Sequence, residues 1–189
     1  MIDAIKERNR ISLAALELMR DKNFHKISPD ERLNLIAECL KIGEEVADWI
    51  VAEFGETDPR KIAEKLGAKI FGVESGERKK SEYRKKEKEI IIFRDTLKRL
   101  TSEITVPDLS ERILRFLVAH ELFHHIENVK IGPVYKRFKF PGKFGFSFYI
   151  KGLSEVAAQA FTQKLLSIEF SPQVFDYLTY ILFTSDFKE

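Results

Sequence analysis

Residues 119–125 read Ala-His-Glu-Leu-Phe-His-His, the most informative stretch of the chain, because it places two histidines and a glutamate on one predicted helix. At about 100° per residue, His120 and His124 lie one turn apart on the same helical face, so both imidazoles can reach one metal ion. Glu121 falls beside that pair, where its carboxylate can accept a proton from a metal-bound water. The spacing therefore predicts a zinc site with a general base next to it.

The residues around this motif are apolar on nearly every face of the helix, which predicts that the helix is buried. They are Ile113, Leu114, Phe116, Leu117, Val118, Ala119, Leu122, Phe123 and Ile126. Polar groups inside a buried helix must be paired, hydrogen-bonded or bound to metal, because an unpaired buried charge is costly. Metal binding satisfies both rings at once; the alternative is a pair of hydrogen-bonded core histidines. His125 points well round the helix and is predicted to be a core or surface histidine.

A catalytic zinc ion usually has three protein ligands and one open position for water, so the two histidines need a third partner. Residues 152–166 read as a helix that opens near Ser154, a good N-cap residue. Glu155, Gln159 and Gln163 recur at every fourth position and form one polar stripe. We expect Glu155 to be the third ligand and Gln159 to hydrogen-bond a ligand histidine. The alternative is a solvated Glu155 that favours the helix dipole.

Two segments of the chain resemble the motifs of the ImmA/IrrE metallopeptidases. Residues 115–124 read Arg-Phe-Leu-Val-Ala-His-Glu-Leu-Phe-His and are similar to that family's Arg-Phe-Thr-x-Ala-His-Glu-Leu-Gly-His segment. Residues 155–166 follow the pattern Glu-x-x-Ala-x-x-Phe-x-x-x-Leu-Leu and are similar to the family's second motif. The resemblance covers roughly residues 58–170.

The resemblance implies a zinc-dependent metallo-endopeptidase whose metal ligands are His120, His124 and Glu155 and whose catalytic glutamate is Glu121. The zinc ion would lower the pKa of its water toward about 7, and Glu121 would accept the proton. The implied substrate is a regulatory protein, such as a helix-turn-helix transcriptional repressor.

Phe123 stands where that family commonly has glycine, and a large ring near the metal would narrow the cleft. A second function class therefore stays open, namely a zinc-bound regulatory or protein-interaction module that cuts no peptide. A third class is a nucleic-acid-binding regulator. The near balance of 32 basic and 30 acidic residues argues against a dedicated nucleic-acid binder.

Basic residues concentrate in two segments. Residues 78–88 carry a local excess of positive charge, and we interpret them as a solvated hairpin or loop; the alternative is capture of an acidic partner or of DNA. Residues 136–149 interleave lysine and arginine with aromatic side chains, as single-stranded nucleic-acid sites do. Because that segment lies between the two zinc motifs, a substrate-groove wall or a packed connecting loop explains it equally well.

The order of the predicted elements indicates an α+β fold. The sequence Ser-Pro-Asp-Glu at residues 28–31 predicts the start of a helix that reaches Gly55. Asp58-Pro59 opens a second helix, which Gly67 closes. Strands are predicted for Lys69 to Val73 and Glu89 to Phe93, and a packing helix for Pro172 to Phe187.

We therefore predict a zincin-like arrangement, in which a small, mainly antiparallel sheet packs on the active-site helix and further helices lie at both chain ends. A free sheet edge would let an extended peptide add as a strand above the metal. Residues 1–55 are predicted to form a helical N-terminal extension, and residues 56–189 the metallopeptidase domain.

The composition is typical of an intracellular protein. Its 189 residues, 44% of them hydrophobic, suffice for one core of ordinary size. No apolar run approaches the roughly 20 residues needed to cross a bilayer, and the N-terminus lacks a signal-peptide apolar region. The single cysteine, Cys39, lies among apolar residues and is predicted to be a small core residue. We expect a cytoplasmic protein.

Overall fold

The computed structural model describes residues 2–74, 76, 79–102, 108–142 and 146–169. The helices are α1 (Ile2–Leu18), α2 (Pro29–Phe54), α3 (Pro59–Lys65), α4 (Arg94–Ser102), α5 (Leu109–Ile126) and α6 (Gly152–Leu165). The strands are β1 (Lys69–Val73), β2 (Ser81–Arg84), β3 (Glu89–Phe93), β4 (Phe140–Pro141) and β5 (Ser147–Phe148). Short helical turns occupy Phe24–Lys26, Glu127–Ile131 and Val134–Arg137. The predicted helix over residues 172–187 lies outside the described residues.

Local capping signals determine the ends of α2 and α3. Ser28 and Glu31 form a reciprocal capping box at the start of α2, and Gly55 ends that helix with a φ of 61°. The side chain of Asp58 accepts a hydrogen bond from the backbone N–H of Arg60 at the start of α3. Gly67, with a φ of 79°, follows the end of α3. The predicted boundaries of both helices are confirmed.

The three-stranded sheet has the order β1-β3-β2 and is mixed. β1 runs parallel to β3, and β2 runs antiparallel to it. The strands predicted over residues 69–73 and 89–93 are confirmed, but the prediction of a mainly antiparallel sheet is wrong. The strand β3 is buried on both faces and lies at the centre of the sheet. A tight turn joins β2 to one of its edges, and β1 pairs with the other edge in the parallel sense.

The helices α2 and α6 pack closely along each other. A Cβ atom at Gly43 of α2 would lie 2.2 Å from the backbone oxygen of Ala157 in α6, so only glycine permits this approach. The hydrophobic core contains Ile36 and Ile50 from α2 together with Val118 from α5. Residues 1–55 thus contribute to the same core as the rest of the described chain, and the domain boundary at residue 55 stays a prediction.

The helix α5 lies at the centre of the fold and contacts α3, α4, α6, β2 and β3. Its apolar residues are buried, as the sequence predicted; Val118, Ala119, Leu122 and Ile126 have no exposed surface. These contacts hold α5 between the sheet and α6, so its polar side chains must find their partners inside the protein. Within the described ranges, no helix combines the length and the apolar character that crossing a membrane requires.

The helix α6 begins at Gly152, two residues before the predicted start at Ser154. Ser154 is not an N-cap residue, because its hydroxyl is buried and donates a hydrogen bond to Oε1 of Glu127 at 2.5 Å. The first turn of α6 is therefore fixed to the segment that follows α5. Glu155, the next residue along the chain, is fixed with it.

Candidate metal centre

The helices α5 and α6 bring His120, His124 and Glu155 together. Three ligand atoms from these side chains lie within 4.8 Å of one another. Nε2 of His120 is 3.2 Å from Oε2 of Glu155, and Nε2 of His124 is 3.4 Å from Oε1 of the same carboxylate. Two atoms bonded to a tetrahedral zinc ion at its usual ligand distances are about 3.4 Å apart. Each histidine is therefore at a separation from the Glu155 carboxylate that one metal ion could bridge.

The three side chains are accessible from one side. The His120 and His124 side chains are 20% and 18% exposed, and the Glu155 side chain is 43% exposed. A structural zinc site is usually closed by four protein ligands, whereas a catalytic site keeps one position open. Three protein ligands with partial exposure fit the second kind of site.

The charges at this site favour a bound cation or a proton in its place. Burial opposes the charged form of His124, but hydrogen bonds to Glu127 and Glu155 outweigh it and raise the pKa of this histidine well above its ordinary value. Burial likewise opposes the charge on Glu155, but hydrogen bonds from His120 and His124 outweigh it and hold the pKa of the carboxyl well below its usual range. The carboxylate is therefore ionised at neutral pH and available as a ligand.

Glu121 is buried beside the ligand group, with 6% of its surface exposed. The hydroxyl of Ser81 in β2 donates a hydrogen bond to its Oε1 at 2.7 Å. This contact joins β2, the edge strand of the sheet, to Glu121, the residue after His120. It holds one carboxylate oxygen of Glu121 in a hydrogen bond. Ser81 lies inside the basic segment, where no motif marks it as a site residue.

Glu127 is a second residue of this site that the sequence reasoning missed. Its Oε2 is 3.0 Å from Nδ1 of His124, and only 7% of its surface is exposed. The signal was present, because a residue three positions after His124 lies on the same helical face. Gln159, predicted to hydrogen-bond a ligand histidine, is buried on α6, and among the described residues its amide bonds neither His120 nor His124.

Phe123 does not narrow the cleft. Its ring has no exposed surface and packs on Phe161 with ring centroids 5.4 Å apart. The ring also meets the edge of the His124 imidazole, with centroids 6.1 Å apart. The expectation of an obstructed site is wrong, because the Phe123 side chain lies in the core, where it contacts Phe161 and His124.

His125 lies in the core, one of the two positions expected for it, and belongs to a separate hydrogen-bond network. Its Nε2 is 3.1 Å from the backbone oxygen of Leu66, and its Nδ1 is 2.9 Å from the hydroxyl of Tyr83. Asn128 donates to the same hydroxyl at 2.9 Å. Burial lowers the pKa of His125, so the ring is neutral and links β2 to α5 on the side facing away from His120.

The two basic segments contribute strands to the two described sheets. Residues 79–88 form β2 and the turn into β3, and Lys79 and Arg84 both pair with Glu82 at their exposed surface. Between the zinc motifs, Phe140 of β4 stacks on Phe148 of β5 with ring centroids 5.5 Å apart. The first segment thus contributes the edge strand of the three-stranded sheet, and the second lies in the connection between α5 and α6.

Comparisons with known proteins assign no family. No family model matches the chain, and neither a curated protein nor a solved structure matches it. The resemblance to the ImmA/IrrE metallopeptidases therefore depends on the two sequence motifs alone.

Proposed function

We propose that the protein is a zinc-dependent metallo-endopeptidase that hydrolyses a peptide bond in a regulatory protein. The observation that carries the proposal is the grouping of His120, His124 and Glu155, whose ligand atoms lie within 4.8 Å of one another, with Glu121 next in the chain to His120. A His-Glu-x-x-His helix joined by a third acidic ligand is the arrangement used for metal-assisted peptide hydrolysis.

Each side chain has a separate task in this proposal. His120, His124 and Glu155 would hold the zinc ion, which supplies a water of lowered pKa and polarises the carbonyl of the substrate. Glu121 would accept the proton from that water and then donate it to the leaving amine. Ser81 would hold the Glu121 carboxylate in a fixed orientation through its hydrogen bond to Oε1.

The free edge of β2 supports an extended peptide as the substrate. Among the described strands, β2 pairs only with β3. The backbone N–H of Phe93 donates to the oxygen of Lys80 at 3.0 Å, so the alternate residues Ser81 and Tyr83 direct their backbone groups away from β3. A peptide that added to this edge would lie against Ser81, beside Glu121. The choice of a regulatory protein, such as a transcriptional repressor, comes from the motif resemblance.

A cleavage assay with matched variants tests the proposal. Protein stripped of metal and reloaded with one equivalent of zinc is incubated with peptides from a digested proteome, and the products are identified by mass spectrometry. Glu121→Gln should retain zinc and lose at least about a hundredfold in rate, because general acid–base catalysis contributes that much or more. Glu53→Gln, an exposed substitution on α2, should behave as the wild type.

Two results would contradict the proposal. Zinc-loaded wild type that leaves every peptide intact would indicate the non-proteolytic regulatory module. Cleavage that survives unchanged in Glu121→Gln would show that the activity comes from another site or from a contaminant.

A further inference from the structure

Glu127 makes three hydrogen bonds, and its two oxygens have different partners. Oε1 accepts from the hydroxyl of Ser154 at 2.5 Å and from the backbone N–H of Val134 at 2.6 Å. Oε2 is 3.0 Å from Nδ1 of His124. Because a carboxylate only accepts, the bond to His124 requires a proton on Nδ1.

That requirement fixes the tautomer of the ligand histidine. A neutral imidazole with its proton on Nδ1 has its lone pair on Nε2. Nε2 of His124 is the atom that lies 3.4 Å from the Glu155 carboxylate, on the side where the metal would bind. Glu127 thus directs the metal-binding nitrogen of His124 toward the site.

Glu127 also connects the two helices that carry the ligands. His124 lies on α5, and Ser154 lies on α6 immediately before Glu155. Val134 belongs to the turn by which the chain leaves α5 toward α6. One buried carboxylate therefore joins three segments whose relative position determines the distance between His124 and Glu155.

We propose that Glu127 is the positioning residue of the zinc site, which sets the tautomer of His124 and fixes α6 so that Glu155 meets it. The inference rests on the proposed function for the identity of the metal. It assigns a role that the motif does not contain and that the sequence reasoning had given to Gln159.

The substitution Glu127→Gln tests this role with little change in volume. The amide oxygen of glutamine must still accept from Val134 and Ser154, so its NH2 group faces Nδ1 of His124. That NH2 group donates, and it selects the tautomer with the proton on Nε2, the nitrogen needed for the metal. We expect zinc affinity, measured by competition with a chromophoric chelator, to fall about 10- to 100-fold.

Two controls separate positioning from general structural damage. Ser154→Ala removes the bond that fixes α6 but leaves the bond to His124, so its zinc affinity should fall by less than that of Glu127→Gln. Glu53→Gln should match wild type. The thermal midpoints of the metal-free variants show whether each folds.

A second measurement needs no variant. In zinc-loaded wild type with ¹⁵N-labelled histidine, the NMR spectrum should show a proton on Nδ1 of His124 and zinc on Nε2. Zinc on Nδ1 would overturn the proposal, as would a Glu127→Gln variant that binds zinc as tightly as wild type. If wild type and Glu127→Gln bind zinc equally tightly, only the role of Glu127 fails. If wild type binds no zinc, the proposed function fails as well.

Discussion

At the scale of single residues, Ser81 controls the orientation of the proposed general base. Its hydroxyl is the described donor to Glu121, at 2.7 Å. We predict that Ser81→Ala lowers kcat for peptide cleavage about 10- to 150-fold, since a hydrogen bond to a charged group is worth roughly 1.5–3 kcal/mol. Zinc content should not change, because Ser81 contacts none of the three ligands. The rate is compared with that of Ser102→Ala, an exposed serine on α4; equal rates for the two variants would remove the role of Ser81.

His125 gives a second prediction at this scale, on pH and stability. Burial lowers the pKa of His125, so below its ordinary value of about 6.5 the unfolded chain binds more protons there than the folded one. Stability from this residue is therefore lost as the pH falls. We expect the unfolding free energy of wild type, measured with urea, to fall relative to that of His125→Gln as the pH is lowered from 7.5 to 5. A difference that is constant over this range would contradict a neutral, buried His125.

At the scale of the elements, the packing of α2 on α6 sets the position of Glu155. Alanine is a better helix former than glycine, so Gly43→Ala would stabilise an exposed helix. Here its Cβ would lie 2.2 Å from the oxygen of Ala157, two residues after the ligand. We predict that unfolding free energy falls by about 1–3 kcal/mol, the usual cost of overpacking. Chemical denaturation checks this, with Glu38→Ala on the exposed face of α2 as the control; a gain in stability would contradict the close approach.

The helix ends were predictable from the sequence, whereas the strand pairing was not. The ends of α2 and α3 were predicted because Ser28, Gly55 and Asp58 act on backbone groups within four residues of themselves. The strand β2 was not predicted, since it is short and polar and lacks an apolar alternation. The parallel pairing of β1 with β3 depends on which strand is buried on both faces, and that depends on helices distant in sequence.

In the candidate site, too, residues close together in the sequence were predicted, and residues brought together only by the fold were not. His120, His124 and Glu121 were found because their spacing lies within one helix. Glu155 required a second motif, and the structure brings it to the histidines. Glu127 and Ser81 were missed because their contacts depend on the return of the chain through Val134 and on the position of β2.

At the scale of the whole molecule, the site joins helices that share one hydrophobic core, so metal binding should stabilise the fold. A ligand that binds only the folded state adds about 2.7 kcal/mol at a concentration one hundred times its Kd. We predict that zinc raises the thermal midpoint of the metal-free protein and that a chelator reverses the shift. His124→Ala should show no shift; a shift of wild-type size in that variant would mean that zinc binds elsewhere.

The zinc content of the purified protein tests whether His120, His124 and Glu155 bind a metal ion. Wild type, His124→Ala and the control His25→Ala are purified without chelators or a metal-binding tag, and metal is measured by elemental analysis. His25 is exposed and bonds the backbone oxygen of Met19, away from the proposed ligands. We predict about one zinc ion per chain in wild type and His25→Ala, and its loss in His124→Ala. Metal-free wild type that stays metal-free after zinc is supplied would contradict the assignment of His120, His124 and Glu155 as a metal site.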